Sequence, residues 1–317
     1  MAPILGRESK ASLSGYSFSR KALGTTVAIK IWASNRHEAS VGARAAFDAI
    51  REVENSMSLF REESELCRLN REGSIRRPSV PFLKVLDFAL GLSRVSGGKF
   101  DPTVQSFWAL YHLCSRLGRE PRLDEIEKAR QAVDWRGVER RGDDVFYRIK
   151  GLRMTFNGLA QGYALDRARE GLRSEGIMAA FIDSGEIGGI GTKPGEAGRS
   201  WRVGLQHPRD PKALTGAIEL GQRCLATSGD YATRFRGLKD RHHLFDPATG
   251  ASPNSLWSVS VLADSGLEAD GLSTALFVLG PERGLELLKS FPRADAYFVR
   301  SDGRVVASTG FPEVRVS

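Results

Sequence analysis

Helix-period and strand-period segments follow one another along this chain without regular alternation, and that order limits its fold more than any other feature. A doubly wound parallel sheet needs strands and helices to alternate. Thr25-Thr26-Val27-Ala28-Ile29-Lys30-Ile31-Trp32, after Leu23-Gly24, reads as a strand, with a period of two and many branched residues. Residues 38–57 place Val41, Ala45, Ile50, Val53 and Met57 at helical spacing opposite Arg and Glu, which predicts a core-facing helix. Further helices are predicted over 80–95, ended by Gly97-Gly98, over 158–173, and over 269–290 with an interruption near Gly280-Pro281. Strands are predicted at 179–183, 201–206, 224–226 and 257–263, and a last hairpin pairs 296–300 with 304–308 across Asp302-Gly303. The sum is an α+β fold, with no internal repeat and no Pro- or Ser-rich linker to divide it.

The 317 residues, 41% of them hydrophobic and 26% charged, suffice for a sizeable core under a solvated surface. A net charge of +8 favours anionic ligands, but the Arg residues are scattered rather than gathered into the basic run expected of a nucleic-acid binder. A phosphate-bearing small molecule fits the same charge. Cys67, Cys114 and Cys224 are far apart and lack C-x-x-C spacing, so they read as buried thiols. No stretch of 18 apolar residues exists to span a membrane. Met1 to Ser19 is polar and has no apolar signal-peptide core, so either the protein is cytoplasmic or an export signal lies outside this sequence.

Four segments combine glycine with acidic or hydroxyl residues near element ends. In Gly98-Lys99-Phe100-Asp101-Pro102-Thr103 the carboxylate can accept hydrogen bonds from a ligand, or simply organise a turn. The small residues from Thr155 through Gly158, Gln161 and Gly162 to Asp166 let a helix N-terminus approach a phosphate, or let that helix pack tightly, with Asp166 solvated. Nearby, Gly185 to Gly191 does not match G-x-G-x-x-G, and reads as a bend or tight turn rather than a dinucleotide site. In the third segment, Ser228-Gly229-Asp230-Tyr231 followed by Arg241 to Gly250, adjacent His242 and His243 lack the spacing of a zinc pair. A single histidine acting as general base, with its ordinary pKa of roughly 6.5, is the functional alternative to a surface histidine beside a turn. In the fourth, Asp270 and Thr274 are four apart and emerge on one helix face, where they can share a hard cation or serve as cap and back-bonded hydroxyl.

Together and in order, these motifs resemble the FAD:protein FMN transferases of the ApbE family: Leu23-Gly24-Thr25, Met57-Ser58, Ser64-Glu65-Leu66, Phe100 to Thr103, Gly158 to Asp166, Ser228 to Tyr231, His243 to Gly250, and Ala269 to Ala275. The resemblance covers residues 17–313, leaving 1–16 and 314–317 as tails. It implies a T-fold-like α+β architecture of two intimate subdomains with FAD in the cleft between them and Mg2+ on its pyrophosphate. Carried over by position, the metal ligands would be the Gly158 carbonyl, Asp270 and Thr274, with Ser273 as an accessory. FAD would touch Leu23, Phe60, Lys99, Phe100, Asp101, Thr155, Gln161 and Leu244, and His243 falls at the catalytic histidine.

Two positions depart from the commonest family pattern: Thr155 stands where many members have Asp, and Gln161 where many have Lys. The implied reaction moves FMN from FAD to a Thr or Ser hydroxyl of an acceptor protein and releases AMP. Acceptors of the family resemble D-x-x-x-[ST]-[GA]-T segments in membrane electron-transfer flavoproteins, which implies a periplasmic or cell-envelope home, cytoplasmic being the alternative. An FAD pyrophosphatase yielding free FMN and AMP, or a flavin-delivery protein with little turnover, are the rival activities.

Overall fold

The computed structural model describes residues 13–195 and 199–315; residues 1–12 of the polar opening segment and 316–317 lie outside the described residues. The first described element is β1 (Ser14–Ala22), which begins inside the stretch read as a tail and forms an antiparallel hairpin with β2 (Thr25–Ala33). The turn needs the left-handed region at both of its residues, Leu23 at φ 52° and Gly24 at φ 76°. α1 (Arg36–Met57) follows, started by the Asn35 side chain accepting from the Glu38 N–H. Then come α2 (Glu65–Glu72), β3 (Ser74–Ile75), and α3 (Val80–Val95), whose ends match the expected 80–95. The sequence reading did not anticipate α4 (Gln105–Arg116), α5 (Leu123–Arg130), β4 (Val138–Arg141) or β5 (Asp144–Tyr147). β3, β5 and β4 make a small three-stranded sheet.

The second half comprises α6 (Ala160–Ser174), β6 (Ala179–Asp183), β7 (Ile187–Ile190), β8 (Arg202–His207), β9 (Asp210–Glu219) and β10 (Cys224–Gly229). β11 (Leu256–Ala263), α7 (Gly266–Leu288), β12 (Asp295–Arg300) and β13 (Val305–Ala307) complete it. The main sheet has the order β1-β2-β6-β7-β10-β11-β12-β13 and every neighbouring pair is antiparallel. The glycine-rich segment read as a bend does turn at Gly185 (φ 96°), and then runs as a strand over Ile187–Ile190, between β6 and β10. Its glycines serve packing: a side chain at Gly189 would meet the Trp201 ring at 2.3 Å.

Alternation along the strands sorts side chains to two faces. Val27, Ile29 and Ile31 of β2 join Val259, Val261 and Ala263 of β11 against α1, α6 and α7. Leu225, Leu262 and Val299 face the other way, under Trp201 and under Val203, Leu205 and Ile218 of the β8-β9 hairpin. A third cluster seats α4 on the segment after β10, through Phe107, Tyr111, Phe235 and Phe245. α7 is broken where expected, at Gly280 (φ 77°) before Pro281. Among the described residues no helix is long and apolar enough to cross a membrane, and the three cysteines are free thiols.

Candidate functional site

The site is built where α6 crosses α7. Gly162 and Gly266 let the two backbones meet: a Cβ at Gly162 would lie 2.1 Å from the Gly266 carbonyl oxygen. Asp166 is not a solvated residue, because its carboxylate caps α7 by accepting from Gly266 N at 2.7 Å and Leu267 N at 3.0 Å. One turn further on, Asp270 is buried and its Oδ2 accepts from Gly162 N at 3.0 Å. α7 starts at Gly266 with Ser265 as its cap, so Asp270 sits in the second turn rather than capping the helix. Burial raises the Asp270 carboxyl above its ordinary range, and the Gly162 N–H opposes the shift.

Three hydroxyls lie on the next residues of α7 and on the strand beside it. Ser273 Oγ donates to the Asp270 carbonyl at 2.9 Å and lies 2.8 Å from Ser228 Oγ, at the end of β10. Thr274 Oγ1 is 3.4 Å from Ser228 Oγ, and a Cβ at Gly158 would be 2.6 Å from it. Asp270, Ser273, Thr274 and the turn at Gly158 are thus brought together, a set of hard oxygen donors of the kind Mg2+ takes. No group of three or more His, Cys, Asp or Glu fit to hold a metal exists among the described residues, so an ion here would draw on hydroxyls and carbonyls as well.

The remaining candidate residues line up along connected loops. Thr155 N donates to the Pro102 carbonyl at 2.8 Å, joining the turn before α6 to the 98–103 loop. In that loop Asp101 is buried and its carboxylate is already engaged, by Thr103 N at 2.8 Å, Thr103 Oγ1 at 2.6 Å and Trp135 N at 3.1 Å. Lys99 Nζ reaches both oxygens of Asp246 at 2.8 Å, which ties the loop to the segment bearing His243. Phe100 and Leu244 lie buried in the main apolar cluster. Leu23 and Phe60 occupy the β1-β2 turn and the loop after α1. Glu54 links the two segments, accepting from Leu23 N at 3.0 Å and pairing with Arg61, while Phe60 itself is exposed. Gln161 faces Gly185, its Nε2 2.9 Å from where a Cβ there would sit.

The two histidines, whose rings meet edge to face, differ in their hydrogen bonds. His242 is buried, with Nδ1 accepting from Leu244 N at 3.3 Å, Nε2 2.9 Å from the Pro253 carbonyl, and its ring edge-on to Phe277 of α7. His243 Nδ1 is 3.3 Å from the Thr233 carbonyl, an acceptor only, which puts the proton on Nδ1 and leaves the Nε2 lone pair available. Its pKa is not the ordinary one: burial first, and His242 second, push it down to about 4, so the ring is neutral at neutral pH. A residue that sequence reasoning gave no role also belongs here. Glu186 is buried, and the charge of Asp270 helps burial raise its carboxyl well above the ordinary range. The signal available for it was an acid between glycines in an otherwise apolar stretch.

The sequence profile of the ApbE family matches residues 23–298. The FAD:protein FMN transferase of Treponema pallidum is 29% identical over 97% of this chain and 91% of its own length. That of Vibrio cholerae is 33% identical over 76% of this chain and 74% of its own. Among solved structures, the ApbE protein of Thermotoga maritima superposes with a TM-score of 0.84 at 28% identity, covering 93% of this chain and 97% of that one. The flavin transferase ApbE of Vibrio cholerae gives 0.81 at 27% identity, covering 94% and 98%.

Proposed function

This chain belongs to the ApbE family, and from that premise we propose that it is an FAD:protein FMN transferase acting on a Thr or Ser hydroxyl of an acceptor protein, with release of AMP. The observation that supports this most is the connected array itself: a cluster of hard oxygens at the α6-α7 crossing, joined through Pro102-Thr155 and Lys99-Asp246 to a neutral histidine with a free Nε2.

Within this reading Asp270, Thr274 and the Gly158 carbonyl, with Ser273 as an accessory, hold Mg2+. The ion, when bound, neutralises charge on the pyrophosphate oxygens. Leu23, Phe60, Lys99, Phe100, Asp101, Thr155, Gln161 and Leu244 form the FAD cleft, between two subdomains of one domain spanning 17–313. Asp101 acts there by fixing the loop, since its oxygens are already engaged. His243 Nε2 takes the proton of the acceptor hydroxyl, whose oxygen forms a bond to the FMN-side phosphorus. The P–O bond to the AMP half breaks and AMP leaves with the electron pair. The acceptor carries a D-x-x-x-[ST]-[GA]-T segment in a membrane electron-transfer flavoprotein, which assigns the enzyme to the cell envelope.

The test is to incubate the protein with FAD, Mg2+ and a tagged acceptor bearing that segment, then measure the acceptor mass and the nucleotides released. The expected outcome is one FMN per acceptor and an equal amount of AMP. Free FMN and AMP with an unlabelled acceptor would identify an FAD pyrophosphatase instead. Unconsumed FAD would identify a delivery protein.

A further inference from the structure

Glu186 stands at the turn between β6 and β7, just after Gly185 at φ 96°. The Thr227 backbone lies close enough to its carboxyl to oppose the effect of burial, but Oε2 is buried and has no partner at all. Such an oxygen is rare in a folded protein, because losing water without a replacement is costly, and it calls for a ligand to complete it. Asp270 and Asp183, both acidic, act on Glu186 and add to the effect of burial.

Its position says which ligand would. Gly185 lies against Gln161, and the next residue, Gly162, gives its N–H to Asp270 Oδ2, so Glu186 and Asp270 flank the same first turn of α6. Two buried carboxylates that act on each other beside one helix turn form an anionic niche that a divalent cation neutralises. Mg2+ keeps several of its waters even when bound, and those waters need acceptors.

We propose that Glu186 is a positioning residue of the divalent-cation site, its free Oε2 accepting a hydrogen bond from the water shell of the ion held by Asp270 and so setting the site's affinity. This rests on the reading that Asp270 and Thr274 hold the ion. It predicts an effect on cation binding before any FAD or acceptor is present.

The experiment uses the full chain and Mn2+ as the probe, with free Mn2+ followed by electron paramagnetic resonance in parent, Glu186→Gln and Asp270→Asn proteins. Glu186→Gln keeps the side-chain size and one acceptor oxygen, but can offer an N–H where an acceptor is needed. Its Mn2+ affinity should fall by about 10- to 100-fold, the usual loss when an outer partner of a metal site is removed. Its unfolding temperature in EDTA should match the parent's, and the rise that Mn2+ gives the parent should disappear at the same ion concentration. If the Gln variant does not fold, Glu186→Asp serves in its place: it keeps the charge, withdraws the oxygen, and should weaken Mn2+ by about tenfold. Parent-like Mn2+ affinity in the folded Glu186 variant, with binding lost in Asp270→Asn, overturns the role of Glu186 and leaves the Asp270 site standing. Parent-like affinity in Asp270→Asn overturns the cation site itself, and this inference with it.

Discussion

At His243 the functional claim meets a single side chain. Replacing it with Ala should lower the transfer rate by roughly 10²–10⁴-fold, the range for loss of a positioned base. Only the neutral ring accepts a proton, and the pKa near 4 sets where it becomes neutral. The parent rate should therefore rise as pH rises through about 4 and stay level from about pH 6 to 8 while the cation remains bound, whereas an ordinary histidine would still be titrating there. Stability carries the same signature. The folded pKa lies below the unfolded value of about 6.5, so the unfolded chain binds the extra proton between those limits. The parent should lose stability relative to His243→Ala as pH falls from about 6.5 to 4, which paired thermal melts would show. An unchanged transfer rate in His243→Ala would end the assignment. His242→Ala should behave differently: it strands the Leu244 N–H and the Pro253 carbonyl, so it should cost about 1–3 kcal/mol of stability.

The α6-α7 crossing is where elements, rather than single groups, decide the chemistry. Gly162→Ala would push a methyl into the Gly266 carbonyl at 2.1 Å and the Asp270 Cβ at 2.6 Å, both unyielding. The helices must separate, and overpacking of this kind costs about 1–3 kcal/mol or more. The variant should melt at lower temperature and bind Mn2+ more weakly, since Asp270 loses its N–H donor. Gly91→Ala is the counterpart. Gly91 lies inside α3 with nothing within 4 Å of a new Cβ, so the substitution should stabilise by about 0.5–1 kcal/mol, as Ala does over Gly in a helix. If Gly162→Ala keeps the parent's melting temperature and Mn2+ affinity, the close crossing does not hold the site. The two readings available for the small residues before Asp166, phosphate approach or tight packing, are separated at Gly162 by this contact with Gly266.

For the whole molecule, solvent access to the thiols reports whether the two faces of the sheet stay closed. Cys224 is buried between β7 and α6 with its thiol pushed up to about 12 by burial, and Cys114 is buried and also raised. Cys67 is half-buried. Titration with an aromatic disulfide should find at most one reactive thiol in the folded protein and three after denaturation, and rapid reaction of all three in the native state would contradict this packing. The sequence by itself determined the elements whose signals are local. Helical spacing and Gly97-Gly98 marked α3 at both ends, Asp302-Gly303 marked the last hairpin, and Gly280-Pro281 marked the break in α7. It also put Asp270 and Thr274 on one helix face, because four residues make about one turn. Tertiary structure decided the rest. Asp270 meets Gly162 across 108 residues, and Lys99 meets Asp246 across 147, so which groups converge is a property of helix crossings and loop docking that no local period encodes. The protonation of His243 and the unpartnered oxygen of Glu186 were equally out of reach, because both follow from burial, and burial is set by what the rest of the chain places on top.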